Sequence, residues 1–178
     1  MPRSKRWLVP PIALLACACA PAGASAATET QIARAAQADT AVALAERDEA
    51  RRVQRRERRV LRRVLATATR QIGDAYASGA GGPDAFDCSG LTRFAFAVAG
   101  VDLPHQSHAQ AGRGRPVAKG DIRAGDLVFF STAGAGASHV GIATGSRTVV
   151  SATNSGVMEH RRDDAYWGGH YVTARRVL

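Results

Sequence analysis

Two residues of the sequence have the chemistry of a nucleophile and a base. Cys88 stands where a glycine-rich loop, residues 78–83, gives way to a predicted helix, and free backbone amides and the helix dipole favour a thiolate there. His139 opens a predicted strand, and a neutral imidazole near a thiol can accept its proton and leave a thiolate ready to attack a carbonyl. From spacing alone either residue is more often structural than catalytic. We expect the pKa of Cys88 to lie below the roughly 8.5 of a free thiol.

The first 26 residues are typical of an export signal. A basic start precedes the apolar stretch 7–20, and the small residues 24–26 form a cleavage site. A second route stays open, because residues 14–17 (Leu-Leu-Ala-Cys) resemble a bacterial lipobox in which Cys17 would be lipidated. No apolar run reaches the length of a stable membrane span. The sequence therefore predicts an exported protein of the periplasm or cell envelope, soluble or lipid-anchored through Cys17.

The cysteines also bear on chemistry. Cleavage after residue 26 would remove two of the three and leave Cys88 without an intramolecular partner. Exported proteins usually pair their cysteines or avoid them, so a lone thiol there is either incidental and buried or reactive. The spacing excludes a cysteine-based zinc site in the folded region, and the histidines other than His139 lack carboxylates at ligand spacing. We therefore expect neither a metal nor a cofactor.

Charge is unevenly distributed along the chain. The whole chain has a net charge of +9. Residues 1–63 contain 13 basic and 6 acidic residues, whereas residues 64–178 contain 11 basic and 9 acidic residues. The folded region is thus nearly neutral, which argues against a nucleic-acid partner. Residues 27–59 are predicted to be an alanine- and arginine-rich tether, helical or partly disordered. The thirteen residues from Arg51 to Arg63 include eight arginines, which are either simply solvated or contact an anionic membrane or envelope polymer.

The order of predicted elements indicates an α+β domain over residues 60–178. Apolar residues recur at three- and four-residue steps from Val60 to Ile72 and predict a helix that Gly73 ends. A second helix follows Cys88 and stops at Gly100. Strands are then predicted, without intervening helices, at 126–130, 139–144, 148–152, 157–160 and 171–175. This pattern is typical of helices packed on an antiparallel sheet, and the 46% apolar content is enough for a buried core.

Several motifs of the chain resemble the NlpC/P60 family of cell-wall cysteine peptidases. Residues 87–91 (DCSGL), 125–130 (GDLVFF) and 138–142 (SHVGI) occur in the order and rough spacing of that family, and Tyr76 matches the tyrosine of its Tyr-x-x-Gly loop. The similarity runs from about residue 60 to the C-terminus and implies a papain-like α+β core. The closing segments 165–167 (AYW) and 174–178 (ARRVL) look most like proteobacterial envelope lipoproteins that cut peptidoglycan cross-links.

The resemblance assigns roles residue by residue. It implies that Cys88 is the nucleophile and His139 the general base, with Tyr76 and the backbone amide of Ser89 placed to stabilise an oxyanion. The third family position, usually a histidine that orients the base, falls on Ser151, whose hydroxyl is short and uncharged and would fix the imidazole less firmly.

Other positions also depart from the family pattern. His105 stands where an arginine is frequent, and Ser78 and Ala80 differ from the usual loop residues. His160 could orient His139 instead only if its strand runs beside that of His139.

These implied roles lead to a function and to its alternatives. The resemblance implies an exported cysteine endopeptidase that hydrolyses peptide bonds of peptidoglycan stems or cross-links, with bonds involving D-amino acids and diaminopimelate as the substrate class. One alternative is a wall-binding or scaffolding protein of the same fold, weakened in catalysis because Ser151 replaces the orienting residue. Another is a thiol acyltransferase, which would use the same cysteine and histidine but exclude water from the acyl-enzyme.

Overall fold

The computed structural model describes residues 23–178. Of these, residues 49–178 form one compact unit, and residues 23–48 belong to another. The predicted export signal up to residue 22, with Cys17, lies outside the described residues. Within residues 23–178, no helix combines the length and the apolar character needed to cross a membrane.

Helix α1, Gly23–Thr69, joins the helix predicted from residue 60 to the segment 27–59, for which helix and partial disorder were both predicted. Residues 28–59 are all exposed, and their alanine, arginine, glutamate and glutamine residues have high helix propensity, which accounts for the extension. Val64 and Ala68 are fully buried on the predicted apolar face, but Ile72 lies beyond the helix and is 46% exposed. The helix ends four residues before Gly73, whose φ of +101° favours glycine.

Short elements connect α1 to the main sheet. Strands β1, Ala75–Tyr76, and β2, Ala85–Phe86, form a two-stranded parallel sheet. Helices α2, Cys88–Ala97, and α3, Ser107–Ala111, follow. Strand β3, Arg115–Val117, which was not predicted from the sequence, leads through a short 3₁₀ turn into the remaining strands.

The main sheet has six strands and is antiparallel throughout. After β3 its strands are β4, Leu127–Phe130; β5, His139–Ala143; β6, Thr148–Thr153; β7, Gly156–Arg161; and β8, Tyr171–Arg176. Helix α4, Ala165–Gly169, lies between β7 and β8 in the chain. The strand order is β3-β8-β4-β5-β6-β7. The five predicted strands are present within a residue or so of their predicted ends, and the predicted α+β fold is confirmed.

Both faces of the central strands are buried. One face, with Phe129 and Val140, packs against α1 and α2, where Leu91 and Phe96 are fully buried. The opposite face, with Phe130, packs against Trp167 and Tyr171 and so is covered by the segment around α4. Burial on both sides explains why β4 appears in the sequence as an unbroken apolar run. The site described next lies where β5 meets the start of α2.

Candidate active site

The start of α2 is fixed by Asp87, the residue before the cysteine. Its backbone is extended, as an N-cap requires, and its carboxylate accepts the Gly90 N–H at 2.6 Å. The same carboxylate accepts the Ser89 hydroxyl at 3.0 Å and the backbone N–H of Gly79 at 2.9 Å. The cap thus ties the glycine-rich loop to the first turn of α2, where Cys88 is the first residue.

His105 completes this cap. Its Nε2 lies 3.0 Å from both carboxylate oxygens of Asp87, and because a carboxylate only accepts, Nε2 carries the proton. Burial alone would raise the pKa of Asp87, but hydrogen bonds from Gly90, Ser89 and His105 outweigh it and hold the pKa below its ordinary value. His105, which stands where the family often has an arginine, is therefore a donor to this carboxylate.

The Cys88 side chain is partly buried, and this changes the acidity expected for its thiol. Burial raises the pKa of Cys88 above its ordinary value, and the charge of Asp87 adds to this effect. Backbone N–H groups of Val140, Ser89 and Cys88 itself act in the opposite direction but do not overcome burial. The expectation of a lowered pKa is therefore wrong, because it considered the helix start without the strand packed over it. At neutral pH the thiol is protonated.

His139 is the first residue of β5 and is 7% exposed. Burial, with a smaller contribution from the charge of His160, lowers the pKa of His139 to about 4. Its Nε2 is buried and has no hydrogen-bond partner among residues 23–178. The imidazole is therefore neutral at neutral pH and is able to accept a proton.

The structure brings Cys88, His139 and Tyr76 to one cleft. All three line a cavity of about 400 Å³, which also has Trp167 in its wall. Tyr76 is 37% exposed, and burial, followed by the charges of Cys88 and Asp87, raises the pKa of its phenol, which therefore stays a hydrogen-bond donor at neutral pH. The location fits the predicted contribution of Tyr76 to an oxyanion site, which stays a prediction, as does that of the Ser89 amide.

Ser151 lies in the middle of β6 and is fully buried. Its hydroxyl oxygen is 2.9 Å from Nε2 of His160, and no hydrogen bond joins it to His139 in the described part of the chain. The order β5-β6-β7 places the strand of Ser151 between those of the two histidines, so the strand of His160 does not run beside that of His139. The predicted orienting role of Ser151 is not tested by this contact and stays a prediction.

The contribution of Trp167 was not predicted from the sequence. Asp164 caps α4 by accepting the Trp167 N–H at 2.7 Å, and this places the indole over the two histidines. The indole stacks on His160 at 3.8 Å between ring centroids and 17° between planes, and its centroid is 5.2 Å from that of His139. An aspartate three residues before the tryptophan is a capping signal that predicts the short helix, but no local signal predicts the stack.

Residues 28–178 offer no metal site of the usual kind. No group of three or more histidine, cysteine, aspartate or glutamate side chains among them lies close enough to hold an ion. What the cleft does hold is the Cys88 thiol, whose ionised form the backbone N–H groups of Val140, Ser89 and Cys88 favour, and a neutral imidazole in the same cavity. These are the groups that thiol-based acyl transfer requires.

This combination of fold and site has a counterpart among known families. The model of the NlpC/P60 family matches residues 73–176, which is more than half of the chain. The chain belongs to the NlpC/P60 family, and the resemblance inferred from its motifs is confirmed.

Curated relatives match more than half of the chain. A protein of Corynebacterium glutamicum named a probable endopeptidase is 47% identical over 102 residues, which cover 56% of this chain and 47% of that protein. The "Probable endopeptidase p60" of Listeria monocytogenes is 40% identical over 114 residues, covering 64% of this chain and 23% of the relative. The chain thus spans less than half the length of these relatives.

Solved structures show the same fold. An NLP/P60-family protein from Staphylococcus aureus, described as similar to a lipoprotein, superposes with a TM-score of 0.62 and 28% identity, covering 67% of this chain and 42% of that one. The peptidoglycan hydrolase RipB from Mycobacterium tuberculosis gives a TM-score of 0.59 and 29% identity, covering 68% of this chain and 66% of RipB.

Proposed function

We propose that this protein is an exported cysteine endopeptidase that hydrolyses peptide bonds in the stems or cross-links of peptidoglycan. The observation that carries the proposal is the shared cleft of Cys88 and His139 on a fold whose relatives are named endopeptidases and, in one case, a peptidoglycan hydrolase. Export is supported by the signal-like residues 1–26 and by the cell-wall polymer named for RipB. Lipid anchoring through Cys17 and the likeness to proteobacterial lipoproteins remain predictions.

The mechanism follows from the protonation states of the two groups. Because the pKa of Cys88 is raised and that of His139 lowered, the resting pair is a neutral thiol and a neutral imidazole. His139 takes the thiol proton as sulfur bonds to the carbonyl carbon, and the Tyr76 phenol and the Ser89 amide stabilise the oxyanion. The carbon–nitrogen bond then breaks, and His139 gives its proton to the leaving amine. Water, activated by the same imidazole, hydrolyses the thioester and frees Cys88.

Digestion of purified muropeptides, followed by mass spectrometry, tests this function. The protein should release peptide fragments, whereas Cys88→Ala and His139→Ala should release none above background. His108→Ala is the matched control for the histidine change, because His108 is exposed and does not line the cleft. Cleavage that survives Cys88→Ala would rule out the cysteine mechanism.

A wall-binding protein without effective catalysis is the second candidate. It is favoured by the unpartnered Nε2 of His139 and by the engagement of Ser151 with His160. Co-sedimentation with purified sacculi separates the two proposals. Binding by a native protein that releases no fragments, even at high enzyme concentration, supports the binding role.

One face of α1 provides a contact for the envelope. Its eight arginines are Arg51, Arg52, Arg55, Arg56, Arg58, Arg59, Arg62 and Arg63. At about 100° per residue they occupy an arc of about 160°, opposite the buried Val64 and Ala68. None of them belongs to an ion pair between residues 28 and 178. This arginine face carries charge without a large apolar side chain to insert into a bilayer, so an anionic envelope polymer is the partner it fits.

Sedimentation with sacculi and with anionic vesicles, at low and high salt, tests the arginine face. Changing Arg55, Arg59 and Arg62 to glutamine should weaken retention on sacculi and its salt dependence. The matched control changes three exposed arginines outside α1: Arg93, Arg113 and Arg123. Retention on vesicles in preference to sacculi would instead identify the membrane surface as the partner.

A further inference from the structure

His139, the proposed general base, lacks a hydrogen bond that such a base needs. A general base must present one particular ring nitrogen to the thiol, and a hydrogen bond to the other nitrogen normally selects that tautomer. In this structure Nε2 of His139 is buried and has no hydrogen-bond partner among residues 23–178. A buried polar nitrogen of this kind calls for a partner within reach.

The tautomer of His160 fixes the direction of its hydrogen bond with Ser151. Nδ1 of His160 lies 3.3 Å from the backbone carbonyl oxygen of Arg161, and a carbonyl oxygen only accepts, so Nδ1 carries the proton. In the neutral ring Nε2 is then an acceptor. The Ser151 hydroxyl, 2.9 Å away, must therefore donate to it. The hydroxyl proton of Ser151 is therefore used in the hydrogen bond to His160, and the Ser151 oxygen can still accept a hydrogen bond from another donor.

Ser151 lies on the same side of the sheet as His139. The antiparallel register pairs Ile142 with Val150, which places Ser151 opposite Gly141, two residues along β5 from His139 and on the same face. A Cβ at Gly141 would lie 2.9 Å from the Ser151 Cβ and 2.3 Å from Val149 Cγ1. Glycine is required there for the strands to approach so closely, with the Ser151 side chain on the face of the sheet that His139 also occupies.

Trp167 holds the two histidine rings in place. The indole stacks on His160 and also packs against His139, while Phe130 contacts both histidines, with centroid distances of 6.1 and 6.2 Å. His160 is therefore fixed by stacking on one side and by Ser151 at its Nε2 edge. The ring keeps the acceptor nitrogen directed at the hydroxyl.

We propose that Ser151 and His160 act together as the orienting group of His139. Ser151 gives its proton to His160 and offers its oxygen to the N–H at Nε2 of His139, which leaves Nδ1 of His139 to take the proton of Cys88. No hydrogen bond between Ser151 and His139 is formed in this structure of residues 23–178, so the imidazole has to move towards the hydroxyl to complete the pair. The inference rests on the proposed function and names how this chain compensates for a serine at the orienting position.

Three variants test the pair. His160→Phe keeps a ring to stack on Trp167 but removes the acceptor, and Ser151→Ala removes the hydroxyl. Each should lower kcat on muropeptides about 10- to 100-fold with little change in KM, because orientation of a base acts in the transition state. The double variant should be no slower than the slower single variant, within about threefold, since both changes remove one unit. His160→Gln, whose side-chain oxygen accepts from Ser151, should recover part of the rate.

Two readouts do not depend on peptidoglycan. Nitrogen-15 NMR should show His139 of the native protein with its proton on Nε2, and a mixture of tautomers in His160→Phe and Ser151→Ala. The alkylation rate of Cys88 at neutral pH should fall in both variants. His108→Phe makes the same chemical change on an exposed residue outside the cleft and should alter neither readout. Thermal unfolding of each variant separates loss of orientation from loss of fold.

The outcomes separate this inference from the proposed function. An unchanged tautomer and alkylation rate in folded His160→Phe would overturn the pair, whatever the enzyme cleaves. Rate losses that multiply in the double variant would also overturn it, because the residues would then act independently. A native protein that cleaves no muropeptide, yet shows the expected tautomer and alkylation changes, would remove the proposed substrate and leave the pair standing.

Discussion

Acid should destabilise this fold through the buried His139. In the unfolded chain the imidazole takes up a proton near its ordinary pKa of 6.5, whereas in the folded protein burial and the charge of His160 lower the pKa to about 4. Protonation therefore favours the unfolded state as the pH falls through this window. At about 1.4 kcal/mol per pH unit, the difference corresponds to about 3 kcal/mol of stability that is present above pH 6.5 and lost by pH 4.

Urea unfolding at pH 7.5 and pH 4 measures this effect. The comparison is with His139→Phe, which cannot titrate but keeps an aromatic ring against Trp167. The native protein should lose about 3 kcal/mol more than this variant between the two pH values. Burial also lowers the pKa of His160, but His160 is present in both proteins and its contribution largely cancels. His108→Phe, an exposed histidine change, should behave like the native protein.

A parallel loss of stability in the native protein and His139→Phe would refute this reasoning. It would mean that His139 titrates near its ordinary pKa in the folded protein and is hydrated there. The neutral thiol–imidazole pair on which the mechanism relies would then have to be replaced by a charged pair.

Three further predictions concern the surroundings of the cleft. The alkylation rate of Cys88 should rise with a midpoint above pH 9.0, because burial raises the pKa of the thiol; a plateau reached by pH 7 would contradict this. Asp87→Ala should lower the free energy of urea unfolding by about 1–2 kcal/mol at pH 7 through loss of the α2 cap. Because the pKa of Asp87 is lowered, that deficit should shrink as the pH falls below 3.8, and a pH-independent deficit would argue against an ionised cap. Gly141→Ala should lower the free energy of unfolding by about 1–3 kcal/mol, because the added methyl group would crowd β6. The control, Gly120→Ala, adds a methyl group with no atom within 4 Å and should change that free energy by no more than about 0.5 kcal/mol. Equal melting temperatures of the two variants in thermal unfolding would disprove the crowding.

Local signals were enough to locate the main features of the site. A glycine-rich loop, a capping aspartate and apolar periodicity predict that Cys88 begins a helix, and a short apolar run predicts that His139 begins a strand. Both predictions are confirmed. The strand boundaries were equally accessible, because turn residues flank each apolar run.

Features that depend on distant parts of the chain were not accessible from the sequence. The stack of Trp167 on His160 and the engagement of Ser151 by that histidine arise from strand order and from α4, not from local spacing. The direction of the pKa change at Cys88 was also mispredicted, because burial under β5 depends on tertiary packing. For residues 27–59 the sequence left helix and disorder both open, because this exposed part of α1 has helix propensity but no apolar stripe.

The central position of β8 in the sheet has a consequence for biosynthesis. Of the described strands, β8 is synthesised last, yet it lies between β3 and β4, which are synthesised much earlier. Until residues 171–176 are available, one edge of β4 has no partner, and an open edge is prone to pair with other chains. A nascent chain that already contains Cys88 and His139 still lacks the indole over the base and the strand that closes the sheet. The cleft that contains Cys88 and His139 is thus completed only when translation of this region is almost finished.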